Sequence, residues 1–140
     1  MTVSKLLIEG IETAGPSATA EALAMRLAEV GIGSIVIEEE MRPVGIVTDR
    51  DIAVRVAARD RPADEVTAAE IMTEDPVTVR DDAGLFAVTE TMREHGVRRM
   101  PVVNDEGTLV GIITLDDVMQ LLATELDNLA AVIEAESPPY

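Results

Sequence analysis

The chain has 140 residues, 47% of them hydrophobic, which suffices for one compact domain or two small halves sharing a core and excludes wholesale disorder. It has no cysteine, so disulfides and thiolate chemistry are excluded. Its 27 acidic and 11 basic residues leave a formal charge of -16, which argues against nucleic acid as a partner, because that binding depends on neutralising phosphates.

No run is apolar for long enough to span a membrane. The opening MTVSKLLIEG meets acid within nine positions, so a signal peptide is not expected and the cytoplasm is the expected compartment. Lys5 is the sole lysine and Phe86 and Tyr140 are the sole aromatics, so the interior must be aliphatic. So acidic and lysine-poor a surface resembles that of proteins from salt-accumulating organisms; the plainer reading is a well-solvated acidic protein.

In chain order, GIETAG reads as a short extended piece. Ser17 is expected to cap a helix whose apolar stripe is Ala20, Leu23, Leu27 and Val30, with Gly31 closing it. IGSIVIE and PVGIVT, joined by EEMR, read as a hairpin that leads into a helix over 49–58. The charged stretch ARDRPADEV interrupts the pattern, and TAAE at 67–70 starts a short helical turn. The same order then recurs: DPVTVRD extended, Asp82 as a cap, a helix with Leu85, Val88 and Met92 inward, and Gly96 as its stop. VRRMPVVN and LVGIIT follow as a second hairpin around DEG, and a helix opens at 115. Its stripe of Leu115, Val118, Leu122, Leu126, Leu129 and Ile133 outlasts the unit, up to Ser137-Pro138-Pro139. That length predicts packing on the amino-terminal segment or on a partner subunit.

The recurrence is a duplication. VGIVTDRDIAVRVA at 44–57 and VGIITLDDVMQLLA at 110–123 share Val, Gly, Ile, Thr, Asp and Ala at an offset of 66. Upstream the offset is 65, matching Thr13 to Thr78, Ala18 to Ala83 and Gly31 to Gly96. The expected fold is therefore α/β (α+β): two β-α-β-β-α motifs packed by pseudo-twofold symmetry. Motif 1 is read over 2–59, a linker over 60–66, motif 2 over 67–124, and a helical extension and tail over 125–140.

The segments IMTEDPVTV, HGVRRMPVV and GTLVGIITLDDV, in this order and spacing, resemble a CBS motif, the regulatory module named after cystathionine β-synthase. Residues 2–57 are similar in a more divergent form, with GIVTDRDI intact but GSIVIE where the strand usually carries a proline. T-x-x-D at a helix start is by itself a capping box. A carboxylate held there can also accept both hydroxyls of a ribose, and the neighbouring hydroxyl and exposed amides suit phosphate oxygens.

The resemblance implies that clefts between the motifs bind an adenine nucleotide or adenosyl ligand (AMP, ADP, ATP, S-adenosylmethionine or NAD type) as a regulatory ligand. It implies no catalytic cofactor, a homodimer in which two pairs form a flat disc, and an effector protein that the residues do not name. One site would join Thr48 and Asp51 to Thr78, Val79, Arg99, Met100 and Pro101. Asp51 would hold the ribose, Thr78, Val79 and Met100 would line the adenine, and Arg99 would reach phosphate. The other would join Thr114 and Asp117 to Thr13, Ala14, Ser34 and Ile35, where no cation stands opposite. The Asp51 site is accordingly expected to be the stronger.

An enzyme is not expected. His95, the sole histidine, sits at a helix end, and there is no P-loop or G-x-G-x-x-G. The methionines read as core filler, and the acidic run at 38–40 as a solvated turn. Arg98 reads either as a ligand contact or as half of a surface ion pair. The alternative to a sensor is a ligand-free dimerisation scaffold of the same fold.

Overall fold

The computed structural model describes residues 2–7 and 11–137. Its first half runs β1 (Thr13–Ala14), α1 (Ala20–Val30), β2 (Ser34–Glu39), β3 (Arg42–Thr48) and α2 (Asp49–Arg55). A short turn α3 (Ala68–Ile71) and β4 (Thr73–Glu74) lead into β5 (Val79–Arg80), α4 (Leu85–His95), β6 (Arg99–Val103), β7 (Leu109–Thr114) and α5 (Leu115–Glu136). The β-α-β-β-α order is thus present twice. One sheet has the strand order β1-β2-β3-β4 and the other β5-β6-β7. In each, the first strand runs parallel to the second and the hairpin is antiparallel.

Local chemistry explains the element ends. α1 buries Ala20, Leu23 and Leu27 at helical spacing and stops at Gly31, whose φ of 74° is open to glycine without steric cost. Gly96 ends α4 in the same way, at φ 63°. The caps differ from expectation. Thr19, not Ser17, accepts from the Ala22 amide at 3.1 Å, because Ser17 lies inside a turn closed by Ala18 N–H donating to Gly15. Gly84, which has no side chain to cap with, precedes α4 in place of Asp82. Val30 is exposed rather than inward. α2 stops at Arg55 and a separate 3-10 turn follows over Ala57–Arg59, shortening the helix expected over 49–58.

Each half has its own aliphatic core. Leu23, Leu27, Ile35, Ile37 and Val47 gather in the first, and Val88, Met92, Met100, Val102 and Ile113 in the second. The opening turns are exchanged between them. Val3, fully buried, belongs to the second core, whereas Val66, Ala68 and Ile71 belong to the first. The backbone bonds repeat the exchange at the 65-residue offset. Ala68 and Ala69 donate to Ala18 and Pro16, as Val3 and Ser4 donate to Ala83 and Asp81. Each repeat therefore completes the other's core, which ties the two halves into one pseudo-twofold unit.

The same exchange sets two close approaches. Met72 packs on Gly45 so tightly that a Cβ there would overlap its sulfur, and Leu7 packs on Gly111 with a Cβ position only 2.8 Å from its Cδ2. The long α5 does not fold back. Val118 is its buried residue among those described, and Leu122, Leu126, Leu129 and Ile133 stay exposed, so among the described residues this stripe does not pack on the amino-terminal segment, the first of the two expected partners. The helix ends at Glu136; the expected stop at Pro138-Pro139 lies outside the described residues, as does Tyr140.

Candidate ligand site

Both T-x-x-D sequences form complete capping boxes. Asp51 N–H donates to Thr48 Oγ1 at 3.2 Å while Asp51 Oδ2 accepts from the Thr48 amide at 2.8 Å. The equivalent distances at Thr114 and Asp117 are 3.2 and 2.9 Å. Each threonine ends a strand whose register orients the next helix, so both carboxylates stand at helix N-termini, where their charge is favoured.

The two aspartates differ in what else they hold. Asp51 Oδ2 also accepts from the Thr48 hydroxyl at 3.1 Å, and Arg55 Nε approaches its Oδ1 at 3.6 Å. Arg55 is in turn anchored by donating to the Ile71 carbonyl at 2.9 Å. At the equivalent position of α5 stands Leu121, which offers no charge. Among the described residues the structure gives Asp117 Oδ1 no hydrogen-bond or ion-pair partner. Asp51 is half-buried, its side chain 14% exposed, whereas Asp117 is exposed.

A cavity of about 450 Å³ opens beside the exposed aspartate. Thr114 and Asp117 form one wall, Gly33 and Ser34 another, and Arg98 and Arg99 border it together with Glu12 and Asp116. Apolar surface comes from Leu6, Ile11, Ile32 and Ile112. Ser34 is the 65-residue counterpart of Arg99, so a small side chain stands on one side of the pseudo-twofold axis where a long one stands on the other. Glu12 is held by a fork of two bonds from Arg26, 2.7 Å each, and these bonds and its charge raise the Arg26 pKa.

Arg99 reaches across the axis. Its Nη1 donates to the Gly33 carbonyl at 3.2 Å. The same carbonyl accepts from the Asp49 amide at 3.1 Å, so the guanidinium shares its anchor with the first residue of α2. It lines the cavity beside Asp117. This corrects the expectation that no cation faces Asp117, because Arg98 and Arg99 both line that cavity. Arg98 also stands 4.0 Å from Asp116 in an exposed ion pair.

Of the second set of sequence candidates, Ser34, Thr114 and Asp117 line the cavity; Thr13, Ala14 and Ile35 are not among its lining residues. Of the first set, Arg99 alone lines it. Met100 and Ile35 point into the two cores and are 0% and 1% exposed, so neither side chain is available to an adenine ring. Pro101 is buried outside both clusters, Val79 is 8% exposed within the second core, and Thr78 is exposed. His95 is exposed and its Nδ1 lies 3.1 Å from the Thr91 carbonyl one turn back, a helix-end contact. Among the described residues no cluster of His, Cys, Asp or Glu is arranged to hold a metal, and no helix is long and apolar enough to cross a membrane.

Residues 3–58 and 68–124 each match the family model described as the CBS domain. The chain belongs to the CBS-domain family. A CBS domain-containing protein of Bacillus subtilis is 31% identical over 121 residues, 84% of this chain and 82% of its own length. A protein of Methanopyrus kandleri is 36% identical over 141 residues, spanning all of this chain and 70% of its own. Among solved structures, a CBS domain protein from Pyrobaculum aerophilum complexed with AMP superposes with a TM-score of 0.77 at 32% identity, covering 89% of this chain and 99% of that one. CBS pairs of this kind are regulatory modules.

Sequence reasoning missed Leu6, Ile11, Glu12, Ile32 and Ile112 as cavity walls. The 65-residue offset held the signal for Ile11 and Glu12. They fall opposite Pro76 and Val77, directly before the Thr13–Thr78 match.

Proposed function

We propose that this CBS pair is a regulatory binding module whose cavity beside Thr114 and Asp117 takes an adenosine compound of the AMP type. The observation that carries the reading is the carboxylate edge of Asp117 at the start of α5, without a partner among the described residues and facing an arginine across about 450 Å³ of space. Such a volume is in the range of small-molecule sites. Asp117 would accept the ribose hydroxyls, the apolar walls would receive the base, and Arg99 would exchange the Gly33 carbonyl for phosphate, which a guanidinium binds more strongly. The similar structure complexed with AMP supports this assignment.

The Asp51 half carries a second reading. Its carboxylate is engaged at both oxygens, by Thr48 and by Arg55, which favours a structural cap over a ribose acceptor. We therefore place the strong site at Asp117, reversing the ranking that Arg99 suggested from sequence. Ligand binding would bias how the two halves meet, and an effector protein would read that bias.

The test is a thermal-shift screen at high salt with AMP, ADP, ATP and S-adenosylmethionine. A ligand that binds only the folded state at a hundred times its dissociation constant adds about 2.7 kcal/mol of stability. A melting temperature unmoved by all four ligands would leave the chain a ligand-free scaffold.

A further inference from the structure

Among the described residues, Glu12, Asp116 and Asp117 line the cavity against two cations, Arg98 and Arg99. Asp117 is repeated at Asp51, but the other two acids have no acidic counterpart. At the 65-residue offset Glu12 falls opposite Val77, and at the 66-residue offset Asp116 falls opposite Arg50. Each departure from the repeat makes this cavity more negative than the symmetry alone would. Glu12 is held at 24% exposure by two bonds of 2.7 Å from Arg26. The counterpart of Arg26 is Thr91, so the acid and its anchor occur together in the first repeat alone. Asp116 lies in the first turn of α5, beside Asp117, and stands 4.0 Å from Arg98. That leaves Arg99, which forms no ion pair among the described residues and rests on the Gly33 carbonyl.

We propose that Glu12 and Asp116 make this cavity selective for a nucleoside monophosphate, by repelling the second and third phosphates of a polyphosphate. The inference rests on the proposed ligand reading and deepens it. A monophosphate brings close to two negative charges near neutral pH, and a single guanidinium can meet it through two parallel bonds. Each added phosphate brings more negative charge, with no unmatched cation among the lining residues to receive it. Salt does not hide the conflict. In a cavity of about 450 Å³ a phosphate chain lies within about 8 Å of the wall charges, the distance over which physiological salt leaves charges largely unscreened. The fork from Arg26 fixes the Glu12 carboxylate, so it cannot swing away from an incoming anion without losing both bonds.

Calorimetric titration of the full chain with AMP, ADP and ATP, in EDTA at physiological ionic strength, tests this. Affinity should fall in that order, with AMP roughly tenfold or more tighter than ATP. Glu12→Gln combined with Asp116→Asn keeps both side-chain shapes and the Thr114–Asp117 cap, and melting without ligand checks that the fold persists. The double variant should close most of the gap, by strengthening ATP more than AMP. Glu29→Gln is the control. Glu29 also stands by Arg26, at 3.5 Å, but is not among the lining residues, so its loss should leave the gap unchanged. ATP binding as tightly as AMP to the unsubstituted chain overturns the inference and leaves the ligand reading intact. A gap that survives the double variant also overturns it, and so does one that Glu29→Gln closes equally, because overall charge then makes the selection. If none of the three nucleotides binds, the ligand reading itself fails and takes this inference with it.

Discussion

Replacing Asp117 by Ala removes two things at once, and the pseudo-symmetry of the molecule allows them to be separated. The first loss is the capping box, in which Asp117 Oδ2 accepts from the Thr114 amide at 2.9 Å. Losing such a cap and its dipole interaction costs about 1 kcal/mol, or roughly 3–5 °C of melting temperature for a chain of this size. Asp51→Ala suffers the same loss, with bonds of 2.8 and 3.1 Å to Thr48 plus a half-exposed contact with Arg55. The two variants should therefore melt within a few degrees of each other without ligand. The second loss separates them. A carboxylate that accepts a ribose hydroxyl contributes about 1.5–3 kcal/mol per bond, so Asp117→Ala should weaken AMP by at least roughly tenfold, and by about a hundredfold if one bond sits at the upper end. Asp51→Ala should leave the affinity nearly unchanged. Calorimetric titration of AMP into both variants at high salt makes the comparison. If Asp51→Ala abolishes binding while Asp117→Ala spares it, the argument from the free carboxylate edge is wrong.

Arg99→Ala should also weaken AMP by roughly tenfold, in keeping with a lost charge-assisted bond to phosphate, yet leave adenosine nearly unaffected; parallel titrations of the two ligands check this. Val3→Ala deletes two methyl groups from a fully buried site and should cost about 2–3 kcal/mol in urea unfolding. It should do so in one transition, because Val3 lies in the core of the other repeat. Gly45→Ala, which drives a Cβ into Met72, should destabilise by about 1–3 kcal/mol, and adding Met72→Ala should cost less than the two single losses together. A double-mutant cycle with no coupling would refute the close packing of that pair. Raising ionic strength should raise the ligand-free melting temperature, because -16 of unscreened charge repels itself in the compact state.

The repeat, the order of its elements and the two capping boxes were legible in the sequence because each rests on neighbours in the chain. Leu23 and Leu27 share a helix face by spacing alone, Gly31 and Gly96 stop helices by backbone freedom alone, and Thr114 reaches Asp117 within a single turn. The offset of 65 also made pseudo-twofold packing readable, since two copies of one half-core must meet in equivalent ways. What the sequence could not settle was set by groups far apart in the chain. The exchange of Val3 and Ile71 between cores is one case: a short apolar turn carries no mark of which sheet it will cover. The direction of Arg99 is another. Its alignment with Ser34 suggested a cation for the Asp51 site alone, but the side chain crosses the axis to Gly33, 66 residues away, and lines the cavity beside Asp117. The inequality of the two aspartates depended on Arg55, itself held by the Ile71 carbonyl from the opposite repeat's opening turn. Spacing decides which groups lie on one face of an element; only the packing of the elements decides which of those groups remain free to meet a ligand.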